Sequence, residues 1–485
     1  MFNSILILLA FQSINLSNAK EQLEMAIEIC RHGARSPVDQ KHNVSQIYWP
    51  RGLGMLTEVG SRQQFELGTE LRKRYIDEYK LLDEVYNPEQ LLVMSTVRER
   101  CFESAQAQLQ GLYPPLTQSS QNTPKLTSWQ QTHVTLPLSS NDEDFKNFEN
   151  SDSLKNLNDS PGEIAYQNIP IYVQEEKKDF VLRGFSHKTC PIMVQRLQEA
   201  SQTQYYQDLL KYYQEKLFIP LSRKLNIQPE IMKWDEFQKM ADEIVLTLEN
   251  GQKLPFQLTE DELKLIRIFM ADEFFNVKNY GQDIPWFTSS RLREFIADKM
   301  QGKLNNEHNQ KFIIMSSHDS VVAMILAALD LRQDEQPKLA STVIFELWSS
   351  SNLTSINGNL PLQSKVQWVK LLYNDKELNL HTFCYGSSNS NNFMPNKCDF
   401  QTFQQKLSEN IYPIEKDCFE TQYSSIFQPL GQLDFGKYNQ TIVAVALLGF
   451  LVVLLVIGKK MFDNSLKKKQ PKKNFKGGFK FVETE

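Results

Sequence analysis

Two short apolar runs near opposite ends of the chain's body each stop at a cluster of chemically active residues. This repeated arrangement constrains the fold more than any other feature. LEMAIEI, residues 23–29, leads into CRHGARSP, Cys30 to Pro37. KFIIMSS, Lys311 to Ser317, leads straight into His318 and Asp319, and the apolar stretch VVAMILAALDL follows. The two runs read as buried strands and the stretch after Asp319 as a helix. In open α/β sheets, ligands bind beyond the carboxyl ends of strands. Arg31, His32 and Arg35 fall at such a place, and so do His318 and Asp319. The plainer readings are a solvated turn with a capping histidine and an aspartate capping a helix. The shared position after a strand favours one site built from two distant segments.

The residue types suit one chemistry. Two guanidiniums on a short turn can grip a tetrahedral oxyanion with forked donors. A neutral imidazole beside them is a competent nucleophile towards phosphorus, and an adjacent carboxylic acid can give a proton to a departing alkoxide. These are the parts for phosphoryl transfer through a covalent intermediate. No Cys/His cluster has metal-ligand spacing, so neither a metal nor another cofactor is expected. His42, His133 and His187 read as surface or structural residues.

Between the two runs the pattern suggests helices and strands in alternation at the flanks. Thr57 looks like an N-cap opening a helix near 58–80; Leu91 to Thr96 reads as a strand, and ESAQAQLQGLY as a helix stopped by Pro114 and Pro115. Residues 116–305 are polar and patchy, with an exposed insertion near 139–162 and helix-like segments at 195–219 and 259–276. STVIFELWSS and VQWVKLLYN alternate like two further strands. The expected architecture is one α/β domain from residues 20–115 and 306–420, with a mostly helical cap, 116–305, inserted in its middle.

Both ends carry targeting signals. Residues 1–19 have an apolar stretch followed by Ser17 and Ala19, the pattern of a signal peptide cut after Ala19. TIVAVALLGFLVVLLVIG, Thr441 to Gly458, is uncharged and close to the ~20 apolar residues that span a bilayer. It gives one transmembrane helix over 439–458, preceded by a juxtamembrane stalk, 421–438. The tail, 459–485, holds nine Lys against Asp463, Glu483 and Glu485, which keeps it cytoplasmic. That run serves as a stop-transfer flank, with anionic lipid as the sharper alternative. The net charge of -5 does not favour nucleic acid. The expected protein is a single-pass type I membrane protein of the lysosome or plasma membrane. Its partners are a phosphate monoester substrate and the lipid bilayer, with a homodimer left open. In such a compartment Cys190, Cys384, Cys398 and Cys418 can form disulfides, in any of three pairings. Cys30 and Cys101 read as buried thiols. Asn43, Asn158 and Asn352 head glycosylation sequons, and Asn439 does so very near the membrane.

RHGARSP after one strand and SHD after another, in that order, resemble the histidine acid phosphatases of the phosphoglycerate mutase-like superfamily. GMLTEVGSRQQFELGTELRKRY and GLYPP extend the resemblance over most of residues 23–420. It implies a phosphoglycerate mutase-like central sheet flanked by helices, with a helical cap. It further implies acid phosphatase activity, with His32 as the nucleophile that becomes phosphohistidine and Asp319 as the proton donor. Arg31, Arg35 and His318 would bind the phosphate. Cys190 with Cys418, and Cys384 with Cys398, would be the disulfides. The chain departs from the family at Met94, where the family has a phosphate-binding arginine. Arg98 or Arg100 is placed to lean in instead, though strand alternation does not secure it. The alternative to an active enzyme is a catalytically weak or inactive anion-binding surface or lysosomal protein. An acidic optimum would follow from a protonated Asp319 and a charged His318.

Overall fold

The computed structural model describes residues 21–40, 44–45, 47–116, 125–133, 166–184, 186, 189–190, 192–228, 233–354, 362–386, 396–414 and 416–418. The expected signal peptide, stalk, membrane span and tail lie outside these residues, as do Asn43, Asn158, Asn439, His42 and His187. No helix among the described residues is long and apolar enough to cross a membrane.

The first strand, β1 (Glu21–Arg31), is buried without a break from Met25 onward. A strand buried on both faces must sit inside a sheet that is covered on both sides. Seven more strands complete that sheet: β2 (Leu91–Ser95), β3 (Tyr172–Val173), β4 (Phe312–Ser317), β5 (Thr342–Thr354), β6 (Leu362–Tyr373), β7 (Lys376–Leu378) and β8 (Cys398–Asp399). The order is β3-β2-β4-β1-β5-β6-β7, with β8 also on β6. From β3 to β1 the strands are parallel; β5 turns antiparallel to β1, and the rest continue antiparallel. The sheet is therefore mixed. Asn352 lies within β5, opposite Ser364.

Alternate residues of the central strands feed two cores, as the two-residue period requires. Ala26, Val93 and Ile314 join Leu71, Tyr75, Leu109 and Leu112. These come from α1 (Glu58–Arg72), its π-helical continuation Lys73–Glu78, and α2 (Glu99–Leu112). Ile27, Ile29, Ile313 and Met315 face the other way.

The intervening helical block opens with α3 (Ile192–Ser201), which packs in a separate small core with Phe287 and Cys418. That other face of the sheet meets α4 (Gln204–Tyr213), α5 (Trp234–Glu249), α6 (Glu260–Asp272) and α7 (Ser290–Leu304), followed by α8 (Asp319–Ala328). Phe218, Trp234, Phe237 and Phe269 pack ring against ring at the centre of the block. Residues of the 116–305 stretch also serve the sheet itself, since β3 pairs with β2 and α7 packs on β1. The last described helix is α9 (Phe400–Ser408).

Two local expectations change. The segment 195–219 is not one helix: it breaks at Gln202 because Thr203 turns extended and its side chain caps α4 at the Tyr206 amide. Asp319 is not the cap of α8. His318 holds that place in extended conformation, and Asp319 is the first helical residue. Sulfur bridges join Cys190 to Cys418 and Cys384 to Cys398, while Cys30 and Cys101 are free and buried.

Candidate active site

Strand register assembles the site. In the parallel pair β1 and β4, Arg31 stands opposite Ser317, so the next residues, His32 and His318, leave the sheet side by side. The His32 amide continues the ladder by donating to Ser317 O at 3.0 Å, and the two imidazole rings meet edge to face at 5.7 Å. β2 ends level with them, and its following residue, Thr96, places Oγ1 3.2 Å from His318 Nε2. Three neighbouring carboxyl ends thus deliver Thr96, His318 and His32 to one edge.

The turn after β1 is held from behind by α1. Gln64 donates to Arg31 O at 2.9 Å, the Ala34 amide donates to Gln63, and Thr57 caps the helix while donating to Ala34 O. Helix and turn approach so closely that a Cβ on Gly33 would lie 2.2 Å from Gly60 O. Glycine at position 33 is thus required by space.

The imidazole of His32 is oriented by its own turn. Nδ1 lies 2.8 Å from Gly33 O. A carbonyl only accepts, so Nδ1 carries the proton and Nε2 keeps its lone pair. Burial, then the charges of Arg100, Arg31 and Arg35, push the pKa of His32 well below the ordinary histidine value. Both effects favour the neutral form of His32. His318 is lowered well below that value too, by burial first and then by Arg100, Arg183 and Arg35.

Three guanidiniums surround the histidines. Arg31 pairs with Asp319, Nη2 to Oδ2 2.8 Å, and donates to Pro337 O. Arg35 pairs with Asp242 of α5 through both terminal nitrogens, at 2.9 and 3.1 Å. Arg100, on the first turn of α2, donates to Gly54 O at 3.3 Å. Its carbonyl accepts from the Ser104 hydroxyl, which in turn accepts from the Gly33 amide beside His32. Burial and the neighbouring Arg35 lower the pKa of Arg100 to about 10, so it stays charged. In all three, Nε–H is buried and without a hydrogen-bond partner. A buried donor left unbonded costs about 1–3 kcal/mol, a cost that an acceptor-rich ligand would offset.

Asp319 accepts from Arg31, from the Ser320 amide at 2.8 Å and from Gln336 at 3.4 Å. Burial alone would raise its pKa, but Arg31, Arg35 and Lys278 outweigh burial and hold it below the ordinary carboxylate value. The free site therefore keeps Asp319 ionised and His318 neutral. Both are shifted against the charge states that the acidic-optimum argument requires. A cleft of about 660 Å³ opens past Ser320, lined by Arg183, Trp234, Lys278 and Tyr280 among others.

All five residues singled out in the two post-strand turns lie at this site. Arg98 is engaged elsewhere, with Glu176, so Arg100 rather than Arg98 is the arginine that points inward. Met94 stays in the strand register between Tyr172 and Met315 and packs against the apolar core. Asp242 was not anticipated. Its signal was an acid pair, Asp242–Glu243, set among the buried Met240, Ala241 and Ile244 of α5. Among the described residues no cluster of His, Cys, Asp and Glu could hold a metal ion.

The chain is similar to known proteins. The profile of the histidine phosphatase superfamily (branch 2) matches residues 22–374. Lysosomal acid phosphatase of Xenopus laevis is 27% identical over 371 residues, covering 74% of this chain and 72% of that protein. Human prostatic acid phosphatase is 26% identical over 346 residues, covering 70% of this chain and 78% of that protein. The phytase of Citrobacter braakii superposes with a TM-score of 0.53 at 16% identity, over 82% of this chain and 99% of the phytase chain. That likeness is one of fold. With the two histidines and their arginines gathered at the sheet edge, the chain belongs to the histidine acid phosphatases, branch 2 of the histidine phosphatase superfamily, and is a phosphatase.

Proposed function

We propose that the protein hydrolyses phosphate monoesters at acidic pH by a double displacement on His32. The observation that carries this is a His32 imidazole with Nδ1 held by Gly33 O, in the field of three arginines, Arg31, Arg35 and Arg100, each with a buried, unbonded Nε–H. Arg31, Arg35, Arg100 and His318 hold the phosphoryl oxygens. Nε2 of His32 attacks phosphorus, forming a P–N bond as the ester P–O bond breaks, and Asp319 gives its proton to the departing alkoxide. Water then attacks the phosphohistidine with Asp319 as base, which releases phosphate and restores both groups.

The acid requirement enters with the substrate. A phosphate monoester carries one proton below about pH 6, its second pKa. A monoanion can bring that proton to the ionised Asp319. The bound anion also screens Asp319 from Arg31 and favours a charged His318. Residues 116–305 act as a cap, and its 660 Å³ cleft receives the leaving group. Arg100 stands in for the guanidinium absent at Met94. The competing reading, an anion-binding protein with weak or no turnover, is favoured only by Met94.

The N-terminal signal, the apolar 439–458 segment and the sequons, together with lysosomal acid phosphatase as a relative, support a glycosylated, membrane-anchored protein facing a lysosomal or extracellular space. The test is rapid quench in alkali after mixing with a ³²P-labelled ester. The expected result is acid-labile label on the polypeptide, lost in His32→Ala. Hydrolysis without label, or label kept in His32→Ala, overturns the mechanism.

A further inference from the structure

The contact between Arg35 and Asp242 is not explained by phosphate binding alone, because it places a carboxylate against one of the site's own cations. Its geometry gives the reason. Both hydrogens of Nη1 are used, one by Asp242 Oδ2 and one by Ser36 O, each at 3.1 Å. Nη2 gives one hydrogen to Asp242 Oδ1 at 2.9 Å. The guanidinium is left with Nε–H and the second Nη2–H, which lie parallel along one edge of the plane. Nε is buried and has no partner. Two parallel donors on one edge match two oxygens of a phosphoryl group.

The helix that carries Asp242 is fastened to the same loop at other points. Glu243 accepts from the Ser45 amide at 2.9 Å and from its hydroxyl at 2.7 Å, and Asn250 donates to Arg35 O at 3.1 Å. Asp242 is 6% exposed and Arg35 also 6%, so neither side chain is free to wander.

We infer that Asp242 is a positioning residue of the phosphate site: it clamps the far end of Arg35 and thereby presets the Nε/Nη2 edge as a two-donor fork for the phosphoryl group. The residue comes from the cap, so cap and nucleophile loop share one part of the catalytic apparatus. The inference rests on the phosphoryl-transfer reading above, and it acts through Arg35 rather than through contact with substrate.

The test is a double-mutant cycle read by steady-state kinetics on p-nitrophenyl phosphate and by calorimetric binding of orthovanadate. Asp242→Asn keeps the size but accepts at one Nη only. It is expected to lower kcat/KM about 10- to 100-fold, the usual effect of a misaimed group, and to weaken vanadate binding. In an Arg35→Ala background the same change should alter either quantity by no more than about twofold, since residues acting through one another do not add. Glu243→Gln loosens the same helix–loop contact without touching Arg35 and should keep kcat/KM near wild type. That separates lost docking from lost aim.

Vanadate binding that is unchanged or tighter in Asp242→Asn would overturn the inference. So would an equal loss in the Arg35→Ala background, or a wild-type protein that binds no vanadate. A wild type that binds vanadate but turns over no ester would sink the catalytic reading alone, and the vanadate cycle would still decide the role of Asp242.

Discussion

Replacing Glu28 with glutamine is expected to remove a large pH dependence of stability. Glu28 lies in β1 between Ile314 and Ile344 and is fully buried. Its Oε2 accepts from Gln108 at 2.7 Å, and its Oε1 has no partner. Burial pushes the carboxyl up from 4.5 to about 8, and the Gln108 bond only partly opposes this. The folded protein therefore keeps this proton up to about pH 8, whereas the unfolded chain releases it above 4.5.

The contribution to stability is full below pH 4.5 and is lost as the pH rises towards 8. Each pH unit in that window costs the folded state about 1.4 kcal/mol, so about 3 kcal/mol by pH 7 and about 5 by pH 8. His32 and His318, buried neutral, act in the opposite sense below about pH 6.5, so the wild-type curve alone mixes the two. The difference between Glu28→Gln and wild type isolates Glu28. Urea unfolding at pH 5, 6, 7 and 8 should show the variant gaining on wild type by several kcal/mol across the series. A difference that stays constant with pH would refute the reasoning.

Three further outcomes are expected. Arg100→Met should lower kcat/KM about 10- to 150-fold, equivalent to one charged hydrogen bond of roughly 1.5–3 kcal/mol; unchanged kinetics would remove Arg100 from the site. The basic limb of the kcat/KM profile should follow the second ionisation of the substrate, because the free enzyme holds Asp319 ionised and His318 neutral. Aryl esters of lower second pKa should move that limb to lower pH, and a limb that stays fixed assigns it to the enzyme. Gly33→Ala should cost about 3 kcal/mol or more in a thermal melt, since the new methyl meets the Gly60 carbonyl of α1.

The meeting of the two post-strand turns was legible in the sequence because each follows an apolar run, and parallel pairing brings two such runs to one edge. The sequence could not say which arginine after β2 points inward. That depends on where α2 begins, and Arg98 is taken by Glu176. Asp242 was hidden because its role comes from a contact across roughly 200 residues, and no local pattern records such a pairing. In the free site guanidinium charge lowers Asp319 against the effect of burial, and burial leads in lowering His318; neither influence has a local signature in the sequence. The expectation for Asp319 and His318 used ordinary pKa values, whereas the site surrounds both with guanidinium charge in a dry interior. The break before α4 was missed because one threonine outweighs the helical spacing around it.

The reversal of strand direction at β5 has a consequence for how such a site can diversify. Parallel β2, β4 and β1 all end at this edge, but β5 begins there, with Thr342 opposite Cys30. On that side the pocket is walled by the stretch leading into β5, where Gln336 and Pro337 touch Asp319 and Arg31. Length and composition can vary in that stretch and in the cap without disturbing the register that aligns His32 with His318. Substrate preference can therefore drift while the His32 imidazole, the proposed nucleophile, stays in place.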